Sequence, residues 1–97
     1  MAMDFKLPVL YSRADPKQRR LVREQYVQEQ GGLCYWCKQP LTGPATEDVR
    51  KKKINWSLFP PGFRKHPVHL QHDHKSDLTE GAVHAICNAV MWQYHGR

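Results

Sequence analysis

Apolar positions along the chain fall into one helical stripe, two short extended runs and a second helical face, with turn-forming stretches between them. Asp15-Pro16, with Gln18 placed for a capping box, predicts a helix over residues 15–30. Gly31-Gly32 should stop it. Leu21, Val22, Tyr26 and Val27 give it a narrow apolar stripe. Residues 1–14, ahead of it, read as an extended or partly disordered arm whose Leu7, Val9, Leu10 and Tyr11 are able to pack on the rest. Residues 68–70 predict a short strand, Lys75-Ser76-Asp77 a polar turn, and Gly81-Ala82-Val83 the returning strand. A second helix should start at about His84 or Ile86 and continue through Tyr94, with Val90, Met91 and Tyr94 on one buried face.

Residues 42–66 follow no clear period. Thr42-Gly43-Pro44 and Pro60-Pro61-Gly62 mark turns at either end. Strand, loop, strand and helix behind an N-terminal helix make an α+β fold, expected as a single domain over residues 1–97. No internal repeat or low-complexity segment interrupts it. A core that small benefits from an added staple.

Charge changes the picture next. Fifteen Lys and Arg against nine Asp and Glu leave a net charge of +6, which points to an anionic partner, DNA first. Lys17, Arg19, Arg20 and Arg23 crowd the first half of the predicted helix, where cations oppose the macrodipole. Contact with a DNA backbone and an ordinary solvated face explain them about equally well. Arg50, Lys51, Lys52 and Lys53 precede Trp56, Phe59 and Phe63, with Arg64 and Lys65 following. Cations interleaved with rings suit nucleic acid. The rings are expected to help cover the core, while the cations contact DNA. No run of about 18 apolar residues could span a membrane, and the first ten residues lack a secretory pattern.

Three cysteines cannot complete a disulfide framework. Cys34-x-x-Cys37 and His84-x-x-Cys87 instead supply three thiolates and an imidazole, a tetrahedral set for structural zinc. A redox use of Cys34 and Cys37 lacks the surrounding βαβ pattern. Thiols kept as metal ligands fit a reducing, cytoplasmic setting. Around the second half-site, His69-Leu70-Gln71-His72-Asp73-His74 and Gly81 to Asn88 together hold four histidines, an aspartate, a cysteine and an asparagine. That is more proton-transferring and metal-ligating chemistry than packing requires. A neutral imidazole with a pKa of about 6.5 can act as a base at physiological pH, and a divalent ion can polarise a phosphodiester.

Read in order, Cys34-x-x-Cys37, His69-Leu70-Gln71-His72-Asp73-His74 and His84-x-x-Cys87-Asn88 resemble the HNH (ββα-metal) endonuclease superfamily. The resemblance is closest to the phage recombination endonuclease VII branch, marked by Cys-x-x-Cys, His-Leu-Asp-His-Asp-His and Cys-x-x-Cys-Asn, and it covers roughly residues 31–95. It implies a zinc-stapled ββα-metal core in which Cys34, Cys37, His84 and Cys87 hold structural zinc, with His84 where that branch has cysteine. It implies that His72 is the general base and that Asn88 is a ligand of a catalytic divalent cation through its carbonyl oxygen. Asp73, His74 and His69 would line the site. The products would carry a 5′-phosphate and a 3′-hydroxyl, and the enzyme would act in a bacterial cytoplasm, encoded by a phage or prophage. Members of that branch resolve branched DNA as dimers; here monomer and homodimer, and branched, nicked and plain duplex substrates, stay open.

One departure is chemical. The resemblance would place a metal-binding aspartate before the base, where this chain has Gln71. An amide oxygen ligates Mg²⁺ without the charge that ion favours. The cation could then be held more weakly and supplied mainly by substrate phosphate, Asp73 or His69 could take over, or catalysis could be reduced. If histidine takes over, Mn²⁺, Ni²⁺ or Co²⁺ should outperform Mg²⁺. A zinc deaminase is excluded because no His-x-Glu occurs. A non-catalytic zinc-knuckle DNA-binding module is the alternative; it leaves His69, His72, His74 and Asn88 without a task.

Overall fold

Asp15 opens the first helix as its sequence dictates. Its carboxylate accepts from the Gln18 backbone N–H at 2.8 Å, and the Gln18 side chain accepts from the Asp15 N–H at 3.0 Å. Helix α1 spans Pro16–Glu29, and Gly31 and Gly32 leave it at φ +66 and +77, the left-handed region that glycine enters freely. The computed structural model describes residues 5–96. Its further elements are α2 (Glu47–Lys51), β1 (Val68–His72), β2 (Thr79–His84) and α3 (Ala85–His95). Short 3₁₀ turns cover Tyr11–Arg13 and Trp56–Leu58.

The fold is a small α+β arrangement of an N-terminal helix, a β-hairpin and a helix following directly on the hairpin. β1 and β2 pair antiparallel, with Leu70 opposite Ala82 and Gln71 opposite Gly81. Between Gln71 and His72 the register slips, so that His72 pairs with Thr79 and Glu80 stands between the two pairs. A regular strand would send Gln71 and His72 to opposite faces. The bulge bends the ladder at that step; all five residues of β1, Gln71 and His72 among them, line one cleft.

Val22 and Tyr26 of α1, Ala82 and Val83 of β2, and Cys87, Val90 and Met91 of α3 form the core, with Leu41 and Val49 beneath them. Gln30 joins two layers: its amide accepts from the Ala82 N–H at 2.8 Å and donates to the Ala82 carbonyl at 2.9 Å. Tyr35 also donates its N–H to that carbonyl, so the knuckle lies directly on β2.

Several expectations change. The arm is ordered from Phe5 onward, whereas residues 1–4 lie outside the described residues. Phe5, Leu7 and Val9 pack on the core, Leu10 bridges to Leu78, and the Val9 N–H donates to Thr79 Oγ1 at 3.0 Å. Tyr94 is not on the buried face of α3: it is 46% exposed, and its hydroxyl donates to the Lys53 carbonyl. The last turn of α3 meets the segment after α2 there instead of the core. The rings of Trp56, Phe59 and Phe63 do not cover the core. They pack on one another, and Phe59 also meets Trp92 of α3. No helix among the described residues is long and apolar enough to cross a membrane.

Candidate functional site

Cys34 and Cys37 sit in the tight turn after α1, His84 ends β2, and Cys87 lies in the first turn of α3. Their ligand atoms all lie within 4.8 Å of one another, a Cys₃His metal-binding cluster. Cys37 Sγ and Cys87 Sγ stand 3.4 and 3.6 Å from His84 Nδ1. Bond lengths of about 2.3 Å to sulfur and 2.0–2.1 Å to nitrogen at tetrahedral angles would separate the two atoms by about 3.6 Å. The donors therefore fit zinc.

The other imidazole nitrogen supports the same reading. His84 Nε2 lies 2.9 Å from the Pro40 carbonyl and 3.0 Å from that of Gly43. Carbonyls only accept, so Nε2 carries the proton and the Nδ1 lone pair faces the sulfurs. Hydrogen bonding from Cys87, helped by backbone N–H groups of Cys37, His84 and Trp36, lowers the Cys34 thiol to about 4. The same contact, with burial, pushes Cys87 far up. The two opposite shifts describe one proton shared between crowded sulfurs; a bound dication removes the competition and lets both ionise.

Because Cys87 precedes Asn88, the cluster fixes where α3 begins relative to β1. Across that junction lies a cleft of about 560 Å³, within the 300–1,000 Å³ range of ligand sites. His69, Gln71, His72, His74 and Asn88 all line it, and Arg19, Arg20 and Arg23 of α1 form one wall. His72 and His74 lie 4.6 Å apart, centroid to centroid. Burial lowers the His72 pKa, the neighbouring His74 lowers it further, and Asp77 partly offsets them. Burial likewise lowers His69, against hydrogen bonds with the Phe63 and His66 backbone. Both shifts favour the neutral imidazole.

Asn88 Nδ2 meets His69 Nδ1 at 3.1 Å. The contact uses the amide nitrogen and not the carbonyl oxygen that a ligand role needs. Gln71 is 1% exposed; its Nε2 donates to the His72 carbonyl at 2.9 Å and lies 3.4 Å from Glu80 Oε1. Asp73 does not line the cleft. Its Oδ1 accepts from the Lys75 and Ser76 N–H groups and closes the hairpin turn.

The basic residues separate into two sets. Arg50, Lys51, Lys52 and Lys53 stand apart from the cleft: Arg50 donates to the Ala45 carbonyl, Lys51 pairs with Glu47 at 3.0 Å, and Lys52 lies 5.0 Å from the Tyr94 ring. Arg64 covers Trp56 at 4.1 Å and, with Lys65, borders a neighbouring depression.

Sequence reasoning let Tyr11 pack on the domain but did not bring it onto His72, and it did not bring Leu58, Phe59, Phe63 and Trp92 together in the cleft lining. The aromatic composition of residues 56–63 was the available signal for that grouping, but no periodicity tied it to α3. Comparisons with protein families, with curated proteins and with solved structures return no match to this chain.

Proposed function

We propose that the protein is a metal-dependent DNA endonuclease of the HNH superfamily, with His72 as its general base. The observation carrying this reading is the convergence of His69, Gln71, His72, His74 and Asn88 in one cleft walled by Arg19, Arg20 and Arg23. The Cys₃His cluster, read as structural zinc, holds β2 and α3 so that Asn88 reaches that cleft.

His72, neutral and half-buried, takes a proton from a water whose oxygen bonds to phosphorus. The bond from phosphorus to the 3′ oxygen breaks, that oxygen leaves with a proton from solvent, and a 5′-phosphate and 3′-hydroxyl result. The α1 arginines draw the DNA backbone to the opening. Gln71 and Asn88 would hold a divalent cation, which would supply counter-charge at the phosphate. The amides of these two side chains offer oxygen donors of the right kind but no negative charge. His74 and His69 orient the neighbouring groups, and Arg64, Lys65 and the 50–53 run extend the DNA contact beyond the cleft.

Supercoiled plasmid incubated with Mg²⁺, Mn²⁺, Ni²⁺ or Co²⁺ tests this. The wild type should nick; His72→Ala should retard DNA without nicking it. Retardation with no nicking by the wild type under any of the ions would leave the second reading, a zinc-knuckle DNA-binding module. Gln71, neutral where the resemblance would place a metal-binding aspartate, is the observation on that side.

A further inference from the structure

The cleft is lined by two kinds of side chain. Arg19, Arg20 and Arg23 bring guanidinium groups to it, while Leu58 and Trp92 in the same lining stand 50% and 43% exposed. Behind Trp92 the rings continue inward: Phe59 meets it edge-on at 5.6 Å, Phe63 packs on Phe59 at 4.6 Å, and His69 meets Phe63 at 4.7 Å. A chain of ring contacts thus runs from exposed Trp92 to His69. Large apolar groups left in water without joining the core mark a surface that is covered in use.

A regular duplex does not match such a cleft. Its base faces are stacked inside, and its grooves offer base edges between two phosphate strands, so exposed rings beside cations find no free base face there without unstacking one. An unpaired strand carries phosphates along one edge and bare base faces along the other. Cations for the first and rings for the second are the two components of single-strand binding. We infer that the cleft takes a DNA strand with unpaired bases, its phosphates on the α1 arginines and a base against Trp92 and Leu58. The inference rests on the DNA reading above and adds the substrate class: strands unpaired beside the scissile phosphate.

The test is binding of the zinc-loaded full chain without added divalent cation, by fluorescence anisotropy. Three labelled probes of equal length are compared: a thymidine oligonucleotide, the same backbone made abasic, and a blunt duplex. The base-bearing strand should bind roughly tenfold more tightly than the abasic one, the scale of one stacked base, and should quench tryptophan emission. Trp92→Ala and, separately, Leu58→Ser should bring the base-bearing strand down towards the abasic value. Equal binding of abasic and base-bearing strands by the wild type overturns the inference, whatever the variants do. So does a Trp92→Ala loss as large on the duplex as on the strand, which would mark a wedge into paired DNA instead. Nicking of plasmid alongside equal probe binding would sink this inference alone. Base-dependent binding with no nicking under any ion would sink the endonuclease and leave the inference as a binding property.

Discussion

Tyr11 lies flat on His72, the two rings 3.8 Å apart and 8° from parallel. Arg19 covers the other face of Tyr11 at 4.0 Å, and its Nε donates to the Tyr11 carbonyl at 3.1 Å. The segment before α1 is therefore not a loose arm but a strap that holds one face of the imidazole. A base that must meet a water beside phosphorus loses much of its advantage when free to swing, and a displacement of about 1 Å can cost about a hundredfold. Tyr11→Ala should lower the nicking rate at saturating DNA by roughly ten- to a hundredfold. Tyr11→Phe, which keeps the ring, should stay close to wild type. Equal losses in both variants would mean that the hydroxyl acts, not the stack.

Removal of zinc should cost the fold itself. Cys34, Cys87 and His84 are all buried, and the cluster is the place where the knuckle, β2 and α3 meet. Without the cation, the crowded thiols of Cys34 and Cys87 compete for protons in the core. Binding free energy in small zinc domains is largely folding free energy. One zinc per chain should be released by a strong chelator with loss of helical circular dichroism, and Cys87→Ser should purify with less than stoichiometric metal and melt earlier. Retention of the native spectrum after complete zinc removal would overturn the structural role.

What could be read from the sequence was what is encoded locally. The capping box at Asp15 and Gln18, the glycines that end α1, and the two half-sites at Cys34/Cys37 and His84/Cys87 all have short, fixed spacings. The strap was not legible, because Ser12 and Tyr11 are held by Asp77 and His72 across more than 60 residues. Nor was α2, five residues long and anchored by Val49. The bulge at Glu80, opposite the step from Gln71 to His72, had no sequence signature either. Asp73, grouped with the histidines by proximity in sequence, closes the hairpin turn through its Oδ1.

Gly81 should tolerate no side chain. A Cβ there would meet Gln30 Oε1 at 2.7 Å and the Cβ of Tyr35 at 2.9 Å. Gln30 is tied to Ala82 by two hydrogen bonds, and Tyr35 is fixed by its own N–H to the same residue, so neither can move aside cheaply. Gly81→Ala should destabilise by about 1–3 kcal/mol, the usual cost of overpacking. In a chain of this size that lowers Tm by at least several degrees, at about 4–8 °C per kcal/mol.

The strap should loosen in acid. Asp77 accepts from Ser12 through the hydroxyl at 2.6 Å and the N–H at 3.0 Å, and these bonds depress its pKa. A carboxyl with a folded pKa below its unfolded value of about 3.9 contributes stability that is fully present above that value. The contribution disappears as pH falls through the lower, folded pKa. Thermal melts of wild type and Asp77→Asn should therefore differ at neutral pH and converge below about pH 4, while zinc loss acts on both proteins alike. A constant gap down to the lowest accessible pH would mean that the carboxylate charge does not hold the strap.

Gln71→Asp should trade stability for metal affinity. Gln71 is 1% exposed and lies 3.4 Å from a carboxylate oxygen of Glu80. A carboxylate at that position would be buried beside another and would lose the amide donor that now reaches the His72 carbonyl. Like charges in so dry a place are unfavourable without a cation between them. The variant should melt below wild type in metal-free buffer with zinc retained, and Mg²⁺ should raise its Tm more than that of the wild type, because the added charge is what this ion prefers. Nicking supported by Mg²⁺ should rise in parallel. A variant that gains neither Mg²⁺ stabilisation nor activity would show that the cation in this cleft is not held through residue 71.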